Sequence, residues 1–142
     1  MQNAPLRSGT LVDDAEVLSD AGRRRTQTRL QEFSRPTGHD AVVVTVATTA
    51  PLSPSEYAMA LFERWRVGGE ARDGLMMLFA IAEQRAEYVI GPALQPALSE
   101  ADADALLRDN AVPHCRRGDF DAGAFHGIDM LARVFEHVEG LR

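Results

Sequence analysis

Two uninterrupted apolar runs, Ala41 to Ala47 (AVVVTVA) and Leu75 to Ala82 (LMMLFAIA), constrain this chain more than any other feature. Continuous apolar residues, β-branched in the first run and without polar alternation in either, are the pattern of strands covered on both faces. Between them lies a helix with its own start signal. Ser53 sits at the N-cap, Pro54 at the first helical position and Glu56 at the third, which makes a capping box. Tyr57, Ala58, Leu61, Phe62 and Trp65 then share one helical face, and Gly68-Gly69 is expected to end the helix. A strand–helix–strand order implies a parallel pair joined by a right-handed crossover. Arg85 to Ile90 (RAEYVI) alternates after the tight Glu83-Gln84 connection and reads as a third strand returning antiparallel.

Helices flank this centre. One is predicted from about Asp20 to Ser34, with Ser19 as N-cap, a weak stripe of Ala21, Leu30 and Phe33, and a stop at Arg35-Pro36-Thr37-Gly38. Ser99-Glu100-Ala101-Asp102 opens another. Ala124, Ile128, Leu131, Phe135 and Val138 mark a final amphipathic helix from about Phe120 to Glu139. Strands buried on both faces need helices on both sides. The expected class is therefore α/β: a three-layer α/β/α sandwich around a small mixed sheet, a parallel pair plus one antiparallel strand. Residues 1–10 read as a loose leader and residues 11–140 as one domain.

The chain has 142 residues, 45% of them hydrophobic, enough for one sizeable core. Its net charge of −6 argues against a nucleic-acid binder. The basic run Arg23-Arg24-Arg25 reads as a solvated helix face. With Cys115 as the one cysteine, no internal disulfide forms. The longest uncharged apolar run near the middle, Gly74 to Ala82, falls far short of the ~20 residues a membrane helix needs. Met1 to Arg7 carries no hydrophobic signal core, so an exported form is expected to have lost its signal.

Phosphate-ester hydrolysis needs an activated nucleophile or a metal-bound water. Cys115 lacks the arginine that a cysteine phosphatase places six residues later; Asp121 stands there. Asp119-Phe120-Asp121 lies in a turn before a helix, where capping explains it. A calcium loop starting at Asp119 would put Met130 where the bidentate glutamate belongs. His39, His114, His126 and His137 show no zinc spacing. What remains is carboxylates at element ends. One end of the sheet should gather Asp13, Asp14, Thr48, Thr49, Glu83 and Arg85, and crevices at carboxyl strand ends are the usual ligand sites of open α/β sheets. The other should gather Arg72, Asp73, Gly91 and the helix start at Ser99 to Asp102. Asp13, Asp14, Asp73 and Asp102 are the candidate metal ligands, weighed against plain capping and turn roles.

The order of several short motifs resembles the TPM domain family, named for a thylakoid-lumen protein, a photosystem repair protein and a worm receptor modulator. Leu11-Val12-Asp13-Asp14-Ala15 and Leu18-Ser19 resemble its opening motif. Trp65-Arg66-Val67-Gly68, Asp73-Gly74-Leu75, Arg85 to Gly91, Pro113 and Arg117-Gly118-Asp119-Phe120 with Gly123 resemble its later landmarks. Where the family has Gly-Tyr-Gly-Leu-Glu, this chain has Gly91-Pro92-Ala93-Leu94-Gln95, one glycine and one carboxylate fewer. The resemblance implies an α/β/α sandwich placed outside the cytoplasm, exported or membrane-tethered. It also implies binding of calcium or another divalent cation in some members, and acid phosphatase activity in some. Three functions follow: an accessory module for a membrane-protein complex, cation-dependent in one form; a weak metal-dependent phosphomonoesterase; and a protein–protein module without metal.

Overall fold

The computed structural model describes residues 4–140, with side chains to residue 136. Strand β1 (Leu11–Asp13) leads into helix α1 (Asp20–Thr37), β2 (Ala41–Val46) and α2 (Pro54–Arg64). Then come β3 (Leu75–Ala80), β4 (Arg85–Ile90), α3 (Glu100–Asn110), α4 (Val112–Arg116) and α5 (Phe120–Gly140). The sheet order is β1-β2-β3-β4, with the first two pairings parallel and the last antiparallel.

The two apolar runs become the central strands, and all twelve residues of β2 and β3 are buried. Their alternate side chains divide between two cores. Val43, Met77 and Phe79 join Leu30, Phe33, Ile128 and Leu131 on the face covered by α1 and α5. Val42, Val44 and Leu78 join Tyr57, Ala58 and Leu61 under α2. Each such side chain contributes roughly 1.5–3 kcal/mol on leaving water, so the three layers follow from the two-faced burial of the middle strands. The expected sandwich is the observed fold.

The structure adds one strand and adjusts several boundaries. The parallel part of the sheet holds three strands, because Leu11–Asp13 pairs with Val43–Thr45. Three residues are too few to display an alternation. Helix α1 runs through Pro36 to Thr37 and ends on Gly38, which takes the left-handed conformation and donates to the Ser34 carbonyl. Its buried stripe is Gly22, Thr26, Leu30 and Phe33, while Ala21 is exposed. The expected stripe was off by one residue at its first turn, where Gly22 is chosen for closeness: a Cβ there would fall within 2.2 Å of the Asp121 carboxyl carbon. Helix α2 ends at Arg64, ahead of Gly68-Gly69, and Trp65 caps it. Helix α4 was not foreseen. On α5, Ala124, Ile128, Leu131 and Phe135 are buried as expected; the side chains of His137 and Val138 lie outside the described residues.

Three landmark glycines meet at the entry to β3. Gly68 has φ +84°, and a Cβ on it would stand 2.4 Å from the Gly74 nitrogen. A Cβ on Gly91 would stand 2.5 Å from the Arg72 carbonyl oxygen. Three backbone segments cross there too closely for any side chain. Residues 4–10 run beside this crossing. Arg7 forks onto Asp40 at 2.7 and 2.8 Å, and Asp40 also accepts from the Gly68 amide at 3.0 Å. That fork, with the Gly68 amide, holds the Asp40 carboxyl below the usual range against the opposing effect of burial.

Candidate functional site

Parallel strands put their carboxyl ends together, and β1 places Asp13 at that end opposite Thr45 of β2. The Asp13 side chain is 4% exposed and its oxygens are fully occupied. One accepts from the Thr45 hydroxyl at 2.7 Å and the Val17 amide at 3.1 Å. The other accepts from the Leu18 amide at 3.1 Å and from Arg23 at 2.9 and 3.1 Å. Burial pushes the Asp13 pKa up, but the bonds from Thr45, Arg23, Leu18 and Val17 together outweigh it and hold the carboxyl below its ordinary value. Asp13 thus tethers the turn between β1 and α1. Arg23 belongs to the basic run read as a solvated face; only Arg24 is left to water in the simple sense, because Arg25 lies 3.7 Å over the Phe125 ring.

The rest of that end is divided among separate partners. Asp14 is exposed, and its charge joins burial in raising the Tyr57 pKa. Glu83 accepts from the Thr48 hydroxyl at 2.6 Å and the Thr49 amide at 3.2 Å, and the Thr48 bond leads the causes that lower its pKa. Arg85 pairs with Glu87 at 3.3 Å.

At the opposite end Asp73 meets Nδ1 of His39 at 2.9 Å. Arg72 and Gly91 come together as expected, the Arg72 carbonyl accepting from the Ala93 amide at 3.1 Å. Asp102 stands in the first turn of α3, exposed, its own amide donating to Ser99 Oγ at 3.1 Å. Asp13 closes β1 and Asp73 precedes the start of β3, so these two candidates lie at opposite ends of the strands. No group of three or more histidine, cysteine, aspartate or glutamate side chains among the described residues is placed to hold one metal ion. A hard cation needs several free oxygens converging on it. Asp13 has none to spare, and neither expected pair, Asp13 with Asp14 or Asp73 with Asp102, belongs to such a group among the described residues.

The remaining motifs resolve structurally. Asp119 caps α5 by accepting from the Ala122 amide at 3.1 Å, and Asp121 accepts from the Ser19 amide at 2.9 Å, joining the starts of α1 and α5. Trp65 is partly buried, and its indole N–H donates to the Pro5 carbonyl at 3.2 Å. Burial, and after it the charge of Asp119, pushes the Cys115 thiol up to about 11. A thiol at that value is protonated near neutrality and is a poor nucleophile.

What sequence reasoning missed is a cleft of about 850 Å³ beside the carboxyl end of β3. It opens between the β3–β4 turn and the corner of α3 and α4. Phe79, Leu107, Val112 and Phe120 form its apolar wall, and Arg85, Arg108 and Arg116 stand around it. Of the six residues expected at this end of the sheet, Arg85 alone lines the cleft. The helix pair that completes the cleft depends on α4, whose five residues carry no visible period.

Comparison with known proteins agrees with this architecture. An N-terminal domain from a P. gingivalis protein superposes with a TM-score of 0.83 at 22% identity, over 91% of this chain and 83% of that one. The N-terminal domain of the cg2496 protein of Corynebacterium glutamicum gives 0.70 at 11% identity, over 92% and 83%. The BA42 protein of the psychrophile Bizionia argentinensis gives 0.68 at 14%, over 84% and 81%. The superpositions, at identities under 25%, establish a common fold. No curated protein matches the sequence. The sequence pattern of the TPM domain matches residues 11–134, nearly the whole described chain, and the protein belongs to the TPM domain family.

Proposed function

We propose that this TPM domain is an accessory binding module that serves a membrane-protein complex outside the cytoplasm, and that it does not hydrolyse phosphate esters. The observation that carries the reading is the state of Asp13. The acid best placed for chemistry at the strand ends is saturated by Thr45, Arg23, Val17 and Leu18, leaving no lone pair to activate water or bind a cation. The protonated Cys115 thiol removes the other nucleophile from the account. The placement outside the cytoplasm is drawn from family membership, and the partner's membrane location from the same source.

The discriminating experiment is hydrolysis of a chromogenic phosphate ester with and without calcium or magnesium. The module reading expects no turnover above a heat-denatured control in any condition. Metal-stimulated turnover abolished by Asp13→Asn or Asp73→Asn would establish the phosphomonoesterase instead.

A further inference from the structure

The cleft beside β3 has a composition that selects for one kind of ligand, and its argument rests on the binding-module reading above. Its volume, about 850 Å³, lies in the range of small-molecule sites, roughly 300–1,000 Å³. Its position is the turn end of the antiparallel β3–β4 pair, where the carboxyl end of β3 meets the corner of α3 and α4. Its apolar wall is fixed: Phe79 is 2% exposed and Leu107 6%, and the Phe79 and Phe120 rings stand 6.4 Å apart and tilted. Those rings do not depend on a ligand to stay in place.

The lining holds three arginines, Arg85, Arg108 and Arg116, and two carboxylates, Glu87 and Asp104, with Asp109 beside Arg108. Glu87 is satisfied locally by Arg85 at 3.3 Å. Arg108 has only a loose, exposed contact with Asp109 at 3.7 Å. Arg116 has no ion pair among the described residues. A guanidinium presents a planar fork that matches a carboxylate with two parallel hydrogen bonds. Apolar wall plus one uncancelled guanidinium calls for one negative head on an apolar body.

We propose that this cleft binds a single-chain amphiphilic monoanion, its tail against the half-buried Ile81, Val112 and Phe120 above the buried Phe79 and its carboxylate between Arg108 and Arg116. The membrane surface is the competing source of such a head and tail. The free molecule is favoured, because a bilayer needs a protruding apolar face and the large exposed hydrophobics among the described residues, Leu6 and Met59, do not line the cleft.

The test is titration of the ¹⁵N-labelled protein with decanoate, followed by amide shifts. Decyltrimethylammonium serves as the cation of equal tail length, and vesicles containing phosphatidylglycerol serve as the membrane arm. Saturable shifts at Leu107, Val112 and Phe120 with decanoate are expected. The double charge reversal Arg108→Glu with Arg116→Glu, at two exposed positions, should weaken decanoate at least ~10-fold and should not weaken the cationic amphiphile. Vesicles should not sediment the protein. Absent or non-saturating shifts, equal affinity for both amphiphiles, or unchanged affinity in the double variant would overturn the proposal. So would sedimentation with vesicles in place of decanoate binding. None of these results touches the phosphate-ester assay, so a failed ligand class and a failed module reading stay distinguishable.

Discussion

Thr45 and Asp13 face each other across the β1–β2 pairing, and the Thr45 hydroxyl donates to the Asp13 carboxylate at 2.7 Å. Thr45 is fully buried, so its hydroxyl must find a partner inside the protein. Asp13 is that partner, and the same carboxylate collects the turn amides and Arg23. Replacing it by alanine strands two amides and a buried hydroxyl. Asp13→Ala should cost about 3 kcal/mol, read as a lower urea midpoint with unchanged slope. A loss below about 0.5 kcal/mol, the range of ordinary surface changes, would remove Asp13 from the structural account.

Acid should act through the same bonds. Asp13 and Asp40 both have folded-state pKa values below their unfolded ones, Asp13 because its hydrogen bonds outweigh burial and Asp40 chiefly through the Arg7 fork. Their stabilisation is complete above the unfolded carboxylate value of about 4 and disappears as pH falls through the lowered folded values. Urea midpoints should be flat from neutrality to about pH 5 and fall steeply below about pH 4. An Asp13→Ala, Arg7→Gln double variant should show a shallower fall. The same slope in both proteins would mean that other carboxylates govern acid unfolding.

Two glycines with similar backbone angles should respond differently to one methyl group. Gly38 has φ +75° and open space around its Cβ direction, whereas Gly68, at +84°, faces the Gly74 nitrogen at 2.4 Å. Gly38→Ala should cost about 1 kcal/mol, the left-handed penalty alone. Gly68→Ala adds a backbone collision and should cost at least about 3 kcal/mol. Calorimetric melting of both variants checks the order; equal losses would contradict the crossing of segments at Gly68, Gly74 and Gly91.

The Cys115 thiol, pushed up to about 11 by burial, should be sluggish. At pH 8 it should react with a disulfide reagent roughly 100-fold more slowly than glutathione. A rate equal to glutathione's would indicate an exposed, ordinary thiol.

The centre of the fold was legible from the sequence because its signals are long and local. The runs from Ala41 and from Leu75 became β2 and β3 within two residues, and the Ser53–Glu56 capping box formed as read. The edges were not legible. Leu11–Asp13 is a strand only because Val43–Thr45 lies beside it, a relation between distant residues. The helix was expected to end near Ser34 with Arg35 to Gly38 as its stop; Gly38 does close it, but Pro36 is carried in the last turn and the helix reaches Thr37. At the candidate site, two of the expected juxtapositions form, Thr48 and Thr49 with Glu83 and Arg72 with Gly91. What spacing could not disclose was that Asp13, Asp73 and Glu83 already had partners, while Asp14 and Asp102 stand exposed. An isolated threonine inside AVVVTVA was the available clue, since a buried hydroxyl implies an acceptor nearby. The cleft was hidden for a different reason: its walls come from β3, β4, α3, α4 and the start of α5, and no single stretch carries its signature.

The most direct test of the central claim is a calcium titration followed by amide NMR at Thr45, Val17 and Leu18, the residues that bond Asp13. Taken to ~10 mM, above the 10⁻⁴–10⁻³ M of weak extracellular calcium sites, these shifts should stay flat, and Asp13→Asn should move them without any calcium. Saturable calcium shifts at Val17 and Leu18 that vanish in Asp13→Asn would show a carboxylate free to bind metal, and would contradict an Asp13 consumed by the fold.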